Sequence, residues 1–156
     1  MVTVEVQPPA QAQAGAVLYP PLVISSDSGD AYDFVQVVLV DSYGRVLEDQ
    51  LHGTITTSGK PLTDRSSSRS GGSTMYSVFP DLAVAYAGAY TLRVNAFRMD
   101  YNSTDGAGVI LTASTSTAQI MVYDQSVATE VPSPDEQTLL RRLRRHGGFG
   151  VPRSPR

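Results

Sequence analysis

From Gly88 to Phe97 the apolar residues fall on every second position. Tyr90, Leu92, Val94 and Ala96 share one parity, and Arg93 and Asn95 share the other. Period two is the geometry of a strand, and a strand with one apolar face must lay that face on a second layer. The same signal recurs along the chain. Val2, Val4 and Val6 alternate with polar neighbours until Pro8-Pro9 stop the strand. Leu22-Val23-Ile24 follows a segment broken at Pro20-Pro21, and Leu51–Ser58 and Met75–Phe79 return as further strands. Val109–Ala113 and Ala118–Tyr123 look like a closing pair. Residues 33–41 (DFVQVVLVD) differ, because Val35, Val37 and Leu39 face one way while Phe34, Val38 and Val40 face the other. Apolar groups on both sides predict that both are covered. Turn chemistry separates the strands, as in SSDSGD at 25–30 and Ser42-Tyr43-Gly44-Arg45. Roughly seven or eight short strands with frequent turns predict an all-β chain folded as a β-sandwich.

The chain ends differently. Ser133 is a helix cap, Pro134 suits the first helical position, and Glu136 completes a capping box. Leu139, Leu140 and Leu143 then form one stripe, and Gly147 supplies a stop. The expectation is one C-terminal amphipathic α-helix, over 134–146, docked on the sandwich. Residues 59–74 (GKPLTDRSSSRSGGST) hold almost nothing that packs and read as a flexible loop. Residues 1–149 then form one domain, and 150–156 a disordered tail.

The corner at Gly88-Ala89-Tyr90 narrows the architecture. In immunoglobulin-like sandwiches a Gly-x-Tyr step lies where the chain crosses between sheets, with the tyrosine hydroxyl tied back to nearby backbone. Other landmarks agree in order: Val6-Gln7-Pro8, Leu18-Tyr19-Pro20-Pro21-Leu22-Val23, Asp49-Gln50-Leu51-x-Gly53, Phe79-Pro80-Asp81-Leu82, Gly88-x-Tyr90-x-Leu92, and Ser133-Pro134 leading into a Leu/Arg helix. From about Val4 to Phe149 the chain resembles the velvet family of fungal regulators. The resemblance implies an immunoglobulin-like, Rel-homology-like sandwich. It also implies homo- or heterodimers with other velvet-domain proteins, and action in the nucleus with shuttling to the cytoplasm. Family members regulate transcription in sporulation and secondary metabolism. Several bind promoter DNA, and some associate with a methyltransferase-like regulator.

One departure from the family matters. DNA-binding members carry a basic stretch where residues 8–19 here read PPAQAQAGAVLY, without a charge. Phosphate contacts supply most non-specific affinity for nucleic acid, so this arm cannot hold DNA. The charge is also unevenly spread. Residues 1–132 carry six basic and thirteen acidic side chains, a balance of −7, whereas 133–156 carry six arginines against Asp135 and Glu136. The body repels a polyanion and the end attracts one. The residues assigned to DNA contact are therefore Arg141, Arg142, Arg144 and Arg145 on the helix and Lys60, Arg65 and Arg69 in the loop. Each set also reads as ordinary solvated surface. Phe34, Val38 and Val40 read either as a dimer surface or as the seat of the helix, and the helix is the simpler cover. The expected mechanism is dimerisation, with DNA contact supplied mainly by the partner. Direct DNA binding through the arginines, and an adaptor role without nucleic acid, are the alternatives.

Enzymatic function is not expected. There is no cysteine, and the two histidines are His52 and His146. A nucleophile elbow and a phosphate loop are absent from the sequence. Asp27, Asp30 and Asp33 lack the pattern of a calcium loop. No cofactor or metal is expected. The first residues, MVTVEVQPPA, lack the character of a secretory signal, and no apolar run reaches the ~20 residues of a membrane helix.

Overall fold

The period-two strand after Gly88 is the centre of the molecule. In a computed structural model, residues 2–27, 32–61, 74–100 and 108–153 are described. Their strands are β1 (Val2–Val6), β2 (Gln11–Gln13), β3 (Leu22–Asp27), β4 (Phe34–Asp41), β5 (Leu51–His52), β6 (Thr56–Thr57), β7 (Lys60–Pro61), β8 (Thr74–Phe79), β9 (Ala83–Val84), β10 (Gly88–Asp100), β11 (Gly108–Ser116) and β12 (Ile120–Tyr123). One helix, α1 (Pro134–His146), follows. The described residues are all-β with a single C-terminal helix.

The strands make two main sheets and a small third one. The first has the order β1-β3-β8-β7 and the second β2-β12-β10-β4-β6, with β11 also on β10. A small third sheet joins β5 to β9. Tyr90, Leu92, Val94 and Ala96 of β10 meet Val35, Val37 and Leu39 of β4 and Leu22, Ile24 and Phe79 of the first sheet in one buried cluster. The two sheets thus share a core filled by alternate residues of both.

A second apolar cluster lies on the outer side of the first sheet. Val6, Val23 and Val78 there receive Leu140, Leu143 and Phe149. This explains Leu22-Val23-Ile24: β3 is buried on both sides, with Leu22 and Ile24 in the main core and Val23 under the helix. It also corrects the expected seat of the helix. α1 lies on β1, β3 and β8, whose valines form the matching stripe, and not on Phe34, Val38 and Val40.

Several boundaries depart from the sequence reading. Ser25, Ser26 and Asp27, expected in a turn, continue β3 because their backbone pairs with β8 from Thr74 to Tyr76. Leu51–Ser58 is not one strand. It splits at Gly53 into β5, paired with β9, and β6, paired with β4. β11 and β12 do not pair with each other; both run along the same edge of β10, β12 at Gly88–Tyr90 and β11 at Arg93–Asp100. The break between them is bridged by Thr117, whose N–H donates to Leu92 O (2.9 Å) and whose Oγ1 accepts from Leu92 N–H (3.1 Å). Of the expected loop 59–74, Lys60–Pro61 and Thr74 belong to strands, and 62–73 lie outside the described residues.

Of the tail expected to be disordered over 150–156, the first residues make contacts with the body. Val151 packs on the second cluster, and Arg144 Nη2 donates to Pro152 O at 2.9 Å. Residues 154–156 lie outside the described residues.

Candidate interaction surfaces

The corner is built as its residue types dictate. The Tyr90 ring is buried, and its hydroxyl donates to the carbonyl oxygens of Tyr86 (3.0 Å) and Ala87 (3.1 Å). A Cβ on Gly88 would stand 2.8 Å from the Tyr90 hydroxyl oxygen, so only glycine lets the ring close down on the turn. Burial pushes the Tyr90 phenol above its ordinary pKa, and the Asp41 carboxylate adds to the rise. The phenol stays protonated and keeps donating.

Phe79, Pro80, Asp81 and Leu82 do three jobs. Phe79 and Leu82 fill the core, and Pro80 leads the chain out of β8. Asp81 accepts Thr54 N–H (2.9 Å) and Thr54 Oγ1–H (3.1 Å). A Cβ on Gly53 would fall 2.3 Å from Asp81 O, and Gly53 sits at φ +109°. The Asp49–Gly53 and Phe79–Leu82 segments are therefore clasped together. Sequence reading missed this contact.

The uncharged arm is laid down on the body. Ala10 N–H donates to Glu130 Oε2 (2.6 Å), β2 pairs parallel with β12, and Leu18 N–H donates to Leu82 O (2.7 Å). Gln7 links three pieces: its N–H donates to Glu136 Oε2 (2.9 Å) and its Oε1 accepts Ala118 N–H (3.1 Å).

The helix arginines do not form one patch. Arg141 and Arg144 line a cavity of about 370 Å³ together with Arg153, while Arg142 and Arg145 do not. Arg142 acts on Tyr76, where burial raises the phenol pKa, the Arg142 charge opposes the rise and Glu5 adds to it. In the loop set, Lys60 Nζ donates to Gly148 O (2.8 Å), fastening the segment after the helix to the first sheet. Arg65 and Arg69 lie outside the described residues. Arg153 and Tyr19 are cavity residues that sequence reading missed; a folded-back tail has no local signature.

Phe34, Val38 and Val40 are unequal. Val40 is buried, whereas Phe34 and Val38 are half-buried. Phe34 stacks on Phe97 at 5.2 Å, and Phe97 stands opposite Leu111 in the register. Val109, Ile110 and Leu111 of β11 are exposed, Leu111 by 54%. β11 pairs with β10 on one edge, and no described strand pairs with its other edge.

Among the described residues no group of three His, Cys, Asp or Glu side chains is placed to hold a metal ion. Asp33 serves the backbone, its Oδ2 accepting Met99 N–H at 2.7 Å. No helix among the described residues is long and apolar enough to cross a membrane. A scan against protein-family models and a search of curated proteins return no match to this chain.

Proposed function

We propose that the chain is an immunoglobulin-like, Rel-homology-like sandwich of velvet type. It acts as a nuclear regulator of fungal development and secondary metabolism, as a dimer with a second velvet-domain chain, and that partner supplies most of the DNA contact. The sheet orders support the fold: β1, β3, β8 and β7 take the places of strands A, B, E and D, and β4, β10 and β12 those of C, F and G. The tyrosine corner falls at the crossing from β8 to β10, its place in that topology. The residues that carry the family resemblance also have structural duties, as the Gly53–Asp81 clasp and the Gly88–Tyr90 corner illustrate.

The observation that carries dimerisation is the edge of β11. Natural edge strands are protected by charge, proline or brevity. β11 is nine residues long, GVILTASTS, with neither charge nor proline, and its exposed apolar residues continue the Phe34–Phe97 stack. A second velvet-type strand laid against this edge satisfies the open backbone groups and covers Val109 and Leu111.

Sedimentation of the purified chain, alone and mixed with candidate velvet partners, tests this reading. A dimer is expected, and Leu111→Lys is expected to make it monomeric without unfolding it. Gel shifts at two salt concentrations should show weak duplex binding by the chain alone and tighter binding by the mixture. A monomer that binds one DNA sequence tightly by itself refutes the proposal.

A further inference from the structure

The cavity beneath the helix has an unusual charge. Gln137, Arg141 and Arg144 lie at i, i+4 and i+7, on one face of α1. Tyr19, Pro132 and Arg153 line the same cavity. Three arginines therefore line about 370 Å³, and no acidic residue lines it with them. The bond from Arg144 to Pro152 O folds the tail back, which brings Arg153 alongside. Arg141 and Arg153 have no hydrogen-bond or ion-pair partner among the described residues. Like charges held together without a counter-charge repel, so the arrangement favours an anion.

A second cavity of about 450 Å³ adjoins the first and shares Tyr19 and Arg153 with it. Its walls include Pro9, Ala12, Val17 and Leu18 of the uncharged arm, with Val127 from the segment after β12. Glu130 also lines it, but one of its carboxylate oxygens already accepts Ala10 N–H.

We propose that these joined cavities bind an extended acidic peptide of a partner protein. The carboxylate of one residue sits among Arg141, Arg144 and Arg153, and a neighbouring apolar side chain enters the cleft over Leu18. Two observations favour a peptide over nucleic acid. Arg141, Arg144 and Arg153 line one concavity of about 370 Å³, where a duplex needs a continuous basic strip. The strip is also interrupted, because Arg142 and Arg145 lie outside the cavity. Free phosphate fits the cationic half but leaves the apolar half unused. Guanidinium groups pair well with carboxylates through two parallel hydrogen bonds, and an apolar anchor beside such a pair gives direction to the chain.

The site is independent of the β11 edge, so its failure leaves the dimer reading intact. The test is fluorescence anisotropy of the full chain with a labelled octapeptide in which glutamates alternate with leucines. Saturable binding is expected. Arg141→Gln with Arg153→Gln should weaken it by about tenfold or more. Val17→Ser should weaken it by a few-fold, and Arg145→Gln should leave it unchanged. Replacing the glutamates of the peptide by glutamines should abolish binding. Equal binding of the glutamine peptide, equal loss in Arg145→Gln, or no binding at all overturns the proposal. So does displacement of the peptide by inorganic phosphate or a short DNA duplex at lower concentration than unlabelled peptide, which assigns the cavity to a simple anion or to nucleic acid respectively.

Discussion

Gly53 and Tyr90 show how single residues hold the connections between the sheets. Gly53 has a left-handed backbone and no space beyond its Cα, since a methyl group would meet the Asp81 carbonyl. Gly53→Ala combines backbone strain with a steric clash and should cost about 2 kcal/mol or more in chemical denaturation. Tyr90→Phe removes only a hydroxyl. It should cost about 1 kcal/mol, because the ring stays in the core and the freed carbonyls of Tyr86 and Ala87 lie near solvent. Ser77 gives a change of opposite sign. Its Oγ is buried and has no partner among the described residues, so Ser77→Ala should stabilise the chain by about 1 kcal/mol. The three residues differ in how far sequence foretells them. The Gly88–Tyr90 corner is local, two residues apart, and legible. Gly53 meets Asp81 only after β5 pairs with β9, so the reason for that glycine lies in tertiary structure.

Elements show the same division between local chemistry and assembly. The start and stop of α1 follow from Ser133, Pro134, Glu136 and Gly147, all within reach of their own backbone. Ser133 Oγ accepts Glu136 N–H and Glu136 Oε1 accepts Ser133 N–H, while Gly147 takes the left-handed cap. Where the helix docks was not legible, because that depends on which sheet presents a free apolar stripe. β2, β5, β6, β7 and β9 are two or three residues long. Their pairing is dictated by neighbouring strands more than by their own composition, so no periodicity marks them. Leu143→Ala should lower stability by about 2–5 kcal/mol, since Leu143 is fully buried in one cluster with Val6, Val23 and Val78. The β4 hairpin makes a pH-dependent prediction. Asp41 accepts the backbone N–H of Arg45 and Tyr43 and the Arg45 guanidinium. The Arg45 N–H contributes most to holding the carboxyl below its ordinary value, against a smaller opposing effect of desolvation. A depressed carboxyl stabilises the fold above its unfolded pKa and loses that contribution as pH falls through the folded one. The turn should therefore be insensitive to pH above about 4 and loosen below it. Amide resonances of Tyr43 and Arg45 followed by NMR should show the midpoint.

At the scale of the whole molecule, the charge split read from sequence becomes a spatial one. The acidic body forms both sheets, and the basic end folds back over the outer face of the first. The alternation in β10 made the two-layer core legible, because a half-apolar strand has few ways to be buried. The surfaces were less legible. The arginine run looked like one patch and is divided by the helix, with Arg153 recruited from a segment expected to be loose. The apolar residues of β4 drew attention in the sequence, yet the open edge belongs to β11, with which no described strand but β10 pairs.

One arrangement bears on how the protein is made. Val6, Val23 and Val78 emerge early in synthesis, but their cover, Leu140, Leu143 and Phe149, is translated after every strand is complete. Until then a growing chain carries a greasy, half-finished sheet. Its first strand pairs with β3, and the bond from Gln7 N–H to Glu136 is added only once the helix is made. A nascent polypeptide of this design keeps that apolar face bare until the helix has been made, the last element to be completed.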